Sequence, residues 1–427
     1  MSYRILKLNT ISVRGLEKLP RDRYEVASEL ANPHGVLVRS ADMHRFPVPD
    51  SLLAVARAGA GTNNIPVAAL SARGIPVFNA PGANANAVKE LVLASLFLAA
   101  RNICQAWNFA RSLPGDDATI DVAVEKGKKD FVGFELPGRT LGVVGLGAIG
   151  VEVANTAQAL GMQVLGYDPQ ITVQRAWQLS ASVQQALSLD DLFARSDMVS
   201  VHVPLNDRTR GLVNAARLKL MRPGGALLNF SRAPIVNEAE VVAALDSLHL
   251  HAYVCDFPSN ALKLHARAIT LPHLGASTGE AEDNCAAMAA ETLRDFLENG
   301  NVRNSVNFPE AVLPRVPGKT RLAIANSNVP NMVGQISTCL ANTNINIADL
   351  LNKSRGEHAY TLIDTDDGVD EALVGRLRRI EGVLSARIVR EQVKEPSGAV
   401  AWQRDGTNYR WRPFGPRSTR SMSSCRP

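Results

Sequence analysis

Short apolar runs alternate along this chain with longer stretches in which apolar residues recur every three or four positions. That alternation predicts β-strands joined by amphipathic helices, and so parallel sheets with right-handed crossovers. In residues 1–100 the strand-like runs are 5–8, 35–38, 53–57 and 75–78. Residues 87–110 read as one long helix, apolar on most faces and therefore buried. Strand patterns return at 141–144, 163–167, 198–201, 226–229 and 253–255, with a helical pattern at 151–160. A further helix at 278–299 would lead the chain back to its first layer. Pro309, Pro314 and Pro317 then mark a linker. A small βαββαβ pattern follows, with strands at 322–325, 345–353, 359–364 and 383–389 and helices at 332–342 and 370–379.

The fold expected is α/β: two doubly wound, Rossmann-like or flavodoxin-like domains plus the small βαββαβ unit. The domains expected are 1–100 (completed by about 280–308), 101–279, a linker at 309–320, the small unit at 321–392, and a tail at 393–427. The tail has no period and holds six arginines and one aspartate within 403–427, and it reads as disordered.

Charge adds little to this picture. Lysine and arginine number 46 against 41 acidic residues, and much of the excess lies in the tail, so nothing favours nucleic acid as a partner. The five cysteines, at 104, 255, 285, 339 and 425, have no metal-ligand spacing and read as reduced thiols. The longest apolar run, residues 91–100, is too short to span a bilayer. A cytoplasmic protein without a metal or membrane partner is expected.

One motif is specific. Residues 141–150 read Leu-Gly-Val-Val-Gly-Leu-Gly-Ala-Ile-Gly, and Asp168 follows 18 residues after the last glycine. In a strand-turn-helix-strand unit this spacing binds a dinucleotide. Gly145 allows the tight turn, Gly147 lets the backbone approach a pyrophosphate, and Gly150 lets the helix pack on the strand. A helix opening at Ala148 and Ile149 presents unpaired N–H groups to the phosphates. Asp168 suits a ribose diol and repels a 2′-phosphate, and neither Pro169 nor Gln170 supplies a cation. The cofactor expected is NAD.

Two polar residues stand at the ends of later strands: Arg232, in Leu-Asn-Phe-Ser-Arg, and His273, in Leu-Pro-His-Leu-Gly-Ala-Ser-Thr. Open α/β sheets bind ligands outside the carboxyl ends of their strands, which is where both residues fall. Oxidising an alcohol needs a base for the hydroxyl proton and gains from a cation beside the developing carbonyl. Read singly, Arg232 could equally form a surface ion pair and His273 a structural contact.

The chain resembles the D-2-hydroxyacid dehydrogenase family, and within it the branch acting on 3-phosphoglycerate. The likeness is carried by Arg57-Ala-Gly-Ala-Gly-Thr-Asn-Asn, Val77-Phe-Asn-Ala-Pro-Gly-Ala-Asn, Glu125-Lys-Gly-Lys-Lys, Val201-His-Val-Pro-Leu, Ser231-Arg232 and the segment around His273. It implies His273 as base, and Arg232 on the substrate carboxylate and carbonyl. Asp256 would face the nicotinamide carboxamide and Asp168 the adenosine ribose. His202, Val203, Pro204, Ser231 and Gly275 would line the cofactor site. Gly59, Gly61 and Asn79 would shape the substrate loop, and Arg57 would meet a phosphate. The small unit resembles an ACT domain, which implies L-serine as a regulatory ligand near Asn326, Asn328 and Asn346. The family also implies a homo-oligomer, dimer or tetramer.

The activity implied is NAD-dependent oxidation of 3-phospho-D-glycerate at the first step of L-serine synthesis. The alternatives are another 2-hydroxy acid, such as 2-hydroxyglutarate, or an NAD-sensing interaction protein on the same fold. One departure stands out. Where the family pairs its histidine with a glutamate, this chain has Asn260, and no Asp or Glu occurs from Phe257 to Pro272. An amide can still accept a ring N–H, but it does not stabilise an imidazolium as a carboxylate does.

Overall fold

Residues 2–366 and 368–390 are described here from a computed structural model. The expectation of a disordered tail at 393–427 falls outside them. Strands β1 (Tyr3–Leu8), β2 (Tyr24–Ala27), β3 (Gly35–Val38), β4 (Ala54–Arg57) and β5 (Val77–Phe78) make a parallel sheet in the order β2-β1-β3-β4-β5. All four residues of β3 are buried, as expected of a parallel strand covered on both faces. Strand β2, which the apolar pattern did not predict, is held at the edge by pairing with β1.

A second parallel sheet contains β6 (Thr140–Val144), β7 (Gln163–Tyr167), β8 (Gln184–Gln185), β9 (Met198–Val201), β10 (Gly225–Asn229), β11 (Leu250–Cys255) and β12 (Ala268–Thr270). Its order is β12-β11-β10-β9-β6-β7-β8, so the winding reverses between β6 and β9. The crevice at that reversal is the ligand position of a doubly wound sheet.

The helix expected over 87–110 is two helices, α1 (Ala85–Ala100) and α2 (Ile103–Ser112). Between them Asn102 is left-handed, with φ of 51°, a conformation asparagine tolerates better than most residues. The cause of the break is distant in sequence. The Phe134 N–H takes the Ala100 carbonyl at 2.9 Å, and the Gly133 backbone crosses so closely that a methyl there would lie 2.1 Å from the same oxygen. Helix α2 has no buried residue, contrary to the burial its apolar content suggested. Helix α1 buries Val88, Val92 and Leu96 against Val151, Leu228 and Val254 of the second domain.

Helix α3 (Ala148–Ala159) follows the glycine turn, and the chain later returns through the long α4 (Gly279–Asn299), which packs on the first sheet. The small unit then forms with β13 (Thr320–Ser327), α5 (Met332–Ala341), β14 (Ile347–Arg355), β15 (His358–Thr365), α6 (Glu371–Arg378) and β16 (Val383–Val389). Its antiparallel order, β14-β15-β13-β16, is that of a split βαβ fold. Alternate residues of β13 face opposite ways: Leu322 and Ile324 pack under α5 and α6, while Ala323 and Ala325 pack on Phe296 and Phe308. The segment expected as a linker at 309–320 contributes Ala311 and Leu313 to that core, beside the fully buried Phe308. Among the described residues, no helix is long and apolar enough to cross a membrane.

A buried ion pair locks this junction. Arg321 is inaccessible to solvent and pairs with Asp364 at 2.6 Å. It also donates to the carbonyls of Asn299 (3.1 Å), Leu313 (2.7 Å) and Pro314 (2.8 Å). Arg321→Ala would leave the Asp364 carboxylate buried without its counter-ion. We expect a loss of about 3–5 kcal/mol in chemical denaturation, much of it recovered in the double variant Arg321→Met/Asp364→Leu. A single variant as stable as the parent would show that the pair does not hold the unit in place.

Candidate active site

The glycine turn behaves as its pattern predicts. Gly145 has a φ of 91°, and a methyl there would lie 2.5 Å from the His202 carbonyl oxygen. A methyl on Gly150 would lie 1.9 Å from the Gly145 oxygen, whereas one on Gly147 would meet only open space. Gly147 caps α3 without any side-chain hydrogen bond, leaving the amides at Ala148 and Ile149 available to an anion. Asp168, at the end of β7, accepts the Leu146 N–H at 2.9 Å and the Gln170 N–H at 2.8 Å. It thus shapes the turn and stands where a ribose diol would sit. These features fit a bound NAD: a turn that side chains would block, open space at its middle glycine, uncapped amides and a carboxylate at the next strand end.

The strands that follow place the other expected residues along the same edge. His202, half-buried after β9, hydrogen-bonds to Ser200 at 2.9 Å. Burial pushes its imidazole down to about 4, so it stays neutral near neutral pH. Val203 packs against Gly145, and the Pro204 carbonyl accepts the Thr209 hydroxyl. The Ser231 hydroxyl donates to the Val201 carbonyl at 2.7 Å.

Asp256 is buried at the end of β11. Its two oxygens accept the N–H groups of Leu274 (2.8 Å) and Gly275 (2.7 Å), the two residues after His273. A carboxylate read as a cofactor contact thus also anchors the histidine loop, and each oxygen keeps a lone pair for a further donor. His273 itself is exposed and left-handed, with φ of 58°. Its ring stands edge-on to Phe257 at 5.5 Å. Asn260 is exposed in the preceding turn, and among the described residues no hydrogen bond joins it to His273.

The first sheet brings arginines to meet this edge. Arg57 leaves the end of β4 half-buried, with its Nε donating to the Arg39 carbonyl at 3.0 Å. A methyl on Gly59 would lie 2.6 Å from Arg57 Nη1. One on Gly61 would lie 3.2 Å from Arg232 Nη2 and 3.7 Å from Arg57 Nη1. Two glycines thus make room for two guanidinium groups from different domains. Asn79 holds this loop by donating to the Ala60 carbonyl at 2.6 Å. Burial above all, opposed by the Cys285 thiol and reinforced by the charges of Arg232 and Arg39, pulls the Arg57 guanidinium below its ordinary range.

Arg39 was not singled out from the sequence. It follows β3 at the winding reversal of the first sheet and forms an ion pair with Glu282 in the first turn of α4. The signal that could have found it is its place at a strand end on the edge that Arg57 shares. Two guanidinium groups, Arg57 and Arg232, therefore meet at one cleft, with Arg39 next to Arg57 and paired to Glu282, and such a site is suited to an anion.

The three asparagines of the small unit serve its own fold. Asn326, buried, donates to the Ser327 carbonyl at 2.8 Å and accepts from Thr361 at 3.3 Å. Asn328 donates to the Gly356 carbonyl at 3.0 Å, and Asn346 is bonded to Asp366. Lys128 and Lys129 are exposed, and Lys128 pairs with Glu125.

Comparison with known proteins agrees with this geometry. Residues 93–275 match the NAD-binding domain of the D-isomer-specific 2-hydroxyacid dehydrogenases. The D-3-phosphoglycerate dehydrogenase of Haemophilus influenzae is 32% identical, over 79% of this chain and 81% of its own length. The apo D-mandelate dehydrogenase of Rhodotorula graminis superposes with a TM-score of 0.63 at 25% identity, over 74% of this chain and all of that one. The NAD+-bound 3-phosphoglycerate dehydrogenase of Entamoeba histolytica gives 0.56 at 25% identity, over 72% of this chain and 99% of that one. The matched span contains the glycine turn, Asp168, Arg232 and His273, and the chain belongs to the D-isomer-specific 2-hydroxyacid dehydrogenases, NAD-dependent oxidoreductases of 2-hydroxy acids.

Proposed function

We propose that the substrate is 3-phospho-D-glycerate, oxidised to 3-phosphohydroxypyruvate as the first step of L-serine synthesis in the cytoplasm. The observation that carries this reading is the meeting of Arg57 and Arg232 around Gly59 and Gly61, with Arg39 joined to Arg57 through its backbone carbonyl. A 2-hydroxy acid with a phosphate at its other end presents an anion to each side of that cleft. Relatives named D-3-phosphoglycerate dehydrogenase support the same choice.

In this reading Arg232 holds the carboxylate and polarises the C2 oxygen as it becomes a carbonyl, while Arg57 and Arg39 hold the phosphate bidentately. His273 takes the C2 hydroxyl proton. NAD, when bound, supplies the acceptor for the C2 hydrogen and its electron pair. Gly147, the amides opening α3 and Asp168 hold and orient it, and Asp256 keeps the His273 loop in place. The small C-terminal unit acts as an ACT-type regulatory domain that takes L-serine beside Asn326, Asn328 and Asn346, and the protein works as a homo-oligomer.

The direct test is NADH formation at alkaline pH. We expect turnover of 3-phospho-D-glycerate with kcat/KM at least about tenfold above that of D-glycerate and 2-hydroxyglutarate, and lower turnover when L-serine is added. Preference for an unphosphorylated acid would overturn the substrate assignment, and indifference to serine would overturn the regulatory one.

Asn260→Glu tests the proton-handling half of the site. If residue 260 partners His273 in the working enzyme, a carboxylate there should stabilise the imidazolium and raise oxidative kcat several-fold. Partners of a catalytic histidine can be worth up to ~10⁴-fold when the tautomer is lost, and a several-fold gain is a small part of that range. Unchanged oxidative kcat in the glutamate variant would show that residue 260 does not partner the histidine.

A further inference from the structure

Asn229 ends β10 in the middle of the second sheet, in register with Val201 on one side and Cys255 on the other. It is completely buried, and nothing described so far gives it a part in the chemistry. An apolar side chain would suit such a place unless hydrogen bonds require the amide. They do. Its Oδ1 accepts the Ser231 N–H at 3.1 Å, and its Nδ2 donates to the Arg232 carbonyl at 3.0 Å. One amide thus spans the turn from the strand end to the second and third residues beyond it, as asparagine does in side-chain-closed turns.

What that turn launches is Arg232. The Arg232 carbonyl also receives the Ile235 N–H at 3.3 Å, so it is fixed from both sides. The Ser231 hydroxyl is tied to the Val201 carbonyl, and Arg232 Nη1 turns back to the Ser231 carbonyl at 2.6 Å. The backbone at Arg232 is extended, and the other end of the guanidinium, Nη2, reaches the space beside Gly61 in the other domain. Arg232 is exposed, so no packing around its side chain sets its direction. Its aim comes from the backbone beneath it.

We propose that Asn229 is a positioning residue for the hydroxy-acid reaction: its amide fixes the Ser231–Arg232 turn so that the guanidinium meets the substrate carboxylate. The proposal depends on the family's reaction and not on which 2-hydroxy acid is used, so it is measured with whichever one the protein oxidises fastest. Asn229→Asp is nearly isosteric. It keeps an acceptor for Ser231 but sets an oxygen against the Arg232 carbonyl oxygen where a donor stood.

The experiment is a double-mutant cycle with Arg232→Ala, following steady-state kinetics together with NADH affinity by fluorescence titration. In the parent background Asn229→Asp should raise KM for the hydroxy acid at least about tenfold and leave the NADH Kd within about twofold. In the Arg232→Ala background, whose residual rate is slow, the same change should cost less than about twofold. Should a buried carboxylate unfold the protein, Asn229→Ser, smaller and neutral, carries the same cycle. Equal losses in both backgrounds, a fall in NADH affinity in step with KM, or parent-like kinetics would each overturn the assignment.

Discussion

The site depends on holding like charges together. Arg57 and Arg232 approach each other beside Gly61 across a two-domain cleft, with the Arg39 carbonyl on Arg57, and like charges brought together repel. Several features offset that repulsion. Glu282 pairs with Arg39, Arg57 is bonded to the Arg39 carbonyl, and Arg232 is bonded to the Ser231 carbonyl. Glycine at 59 and 61 leaves the guanidinium groups room. The remaining countercharge comes from the ligand, so the cleft is preorganised for an anionic substrate and draws binding energy from neutralising it.

Helix α4 ties this charge to the rest of the fold. Its first turn supplies Glu282, and the segment just before it is the His273 loop anchored by Asp256. Its other end, about 31 Å away at 1.5 Å per residue, is capped from the small C-terminal unit. Tyr360 donates to the Gly300 carbonyl at 2.9 Å, Arg321 to Asn299, and Arg387 to Phe296 and Leu297. The carbonyls a helix leaves unpaired at its C-terminus thus find partners on β13, β15 and β16, two of them cationic and so favourable to the helix dipole.

Much of the cofactor half could be read from sequence because its determinants are local. The glycine spacing, the strand before it and the aspartate after β7 all fall within one strand-turn-helix-strand unit. Arg232 and His273 drew notice for a related reason: both were read at strand ends, which the sheet rule puts on one edge, and the structure supplies β12 before His273. The rest depends on contacts between residues far apart in the chain. The break at Asn102 is made by Gly133 and the Phe134 amide, and nothing in the pattern of residues 87–110 announces it. Arg39 gains meaning only beside Arg57 and Glu282, the latter more than two hundred residues later. Asp256 could be read as a cofactor contact, but its hold on the amides after His273 needs β11 and the loop in three dimensions. The proline-rich segment before β13 read as a linker because its composition is that of one, yet Arg321 takes its carbonyls into a shared core.

A crystal structure of the protein with NADH and 3-phosphohydroxypyruvate tests the central claim most directly. The account predicts the phosphate against Arg57 and Arg39, the carboxylate on Arg232, and the C2 oxygen facing His273. A phosphate bound away from Arg57 and Arg39, with Arg57 still turned only to the Arg39 carbonyl, would contradict it.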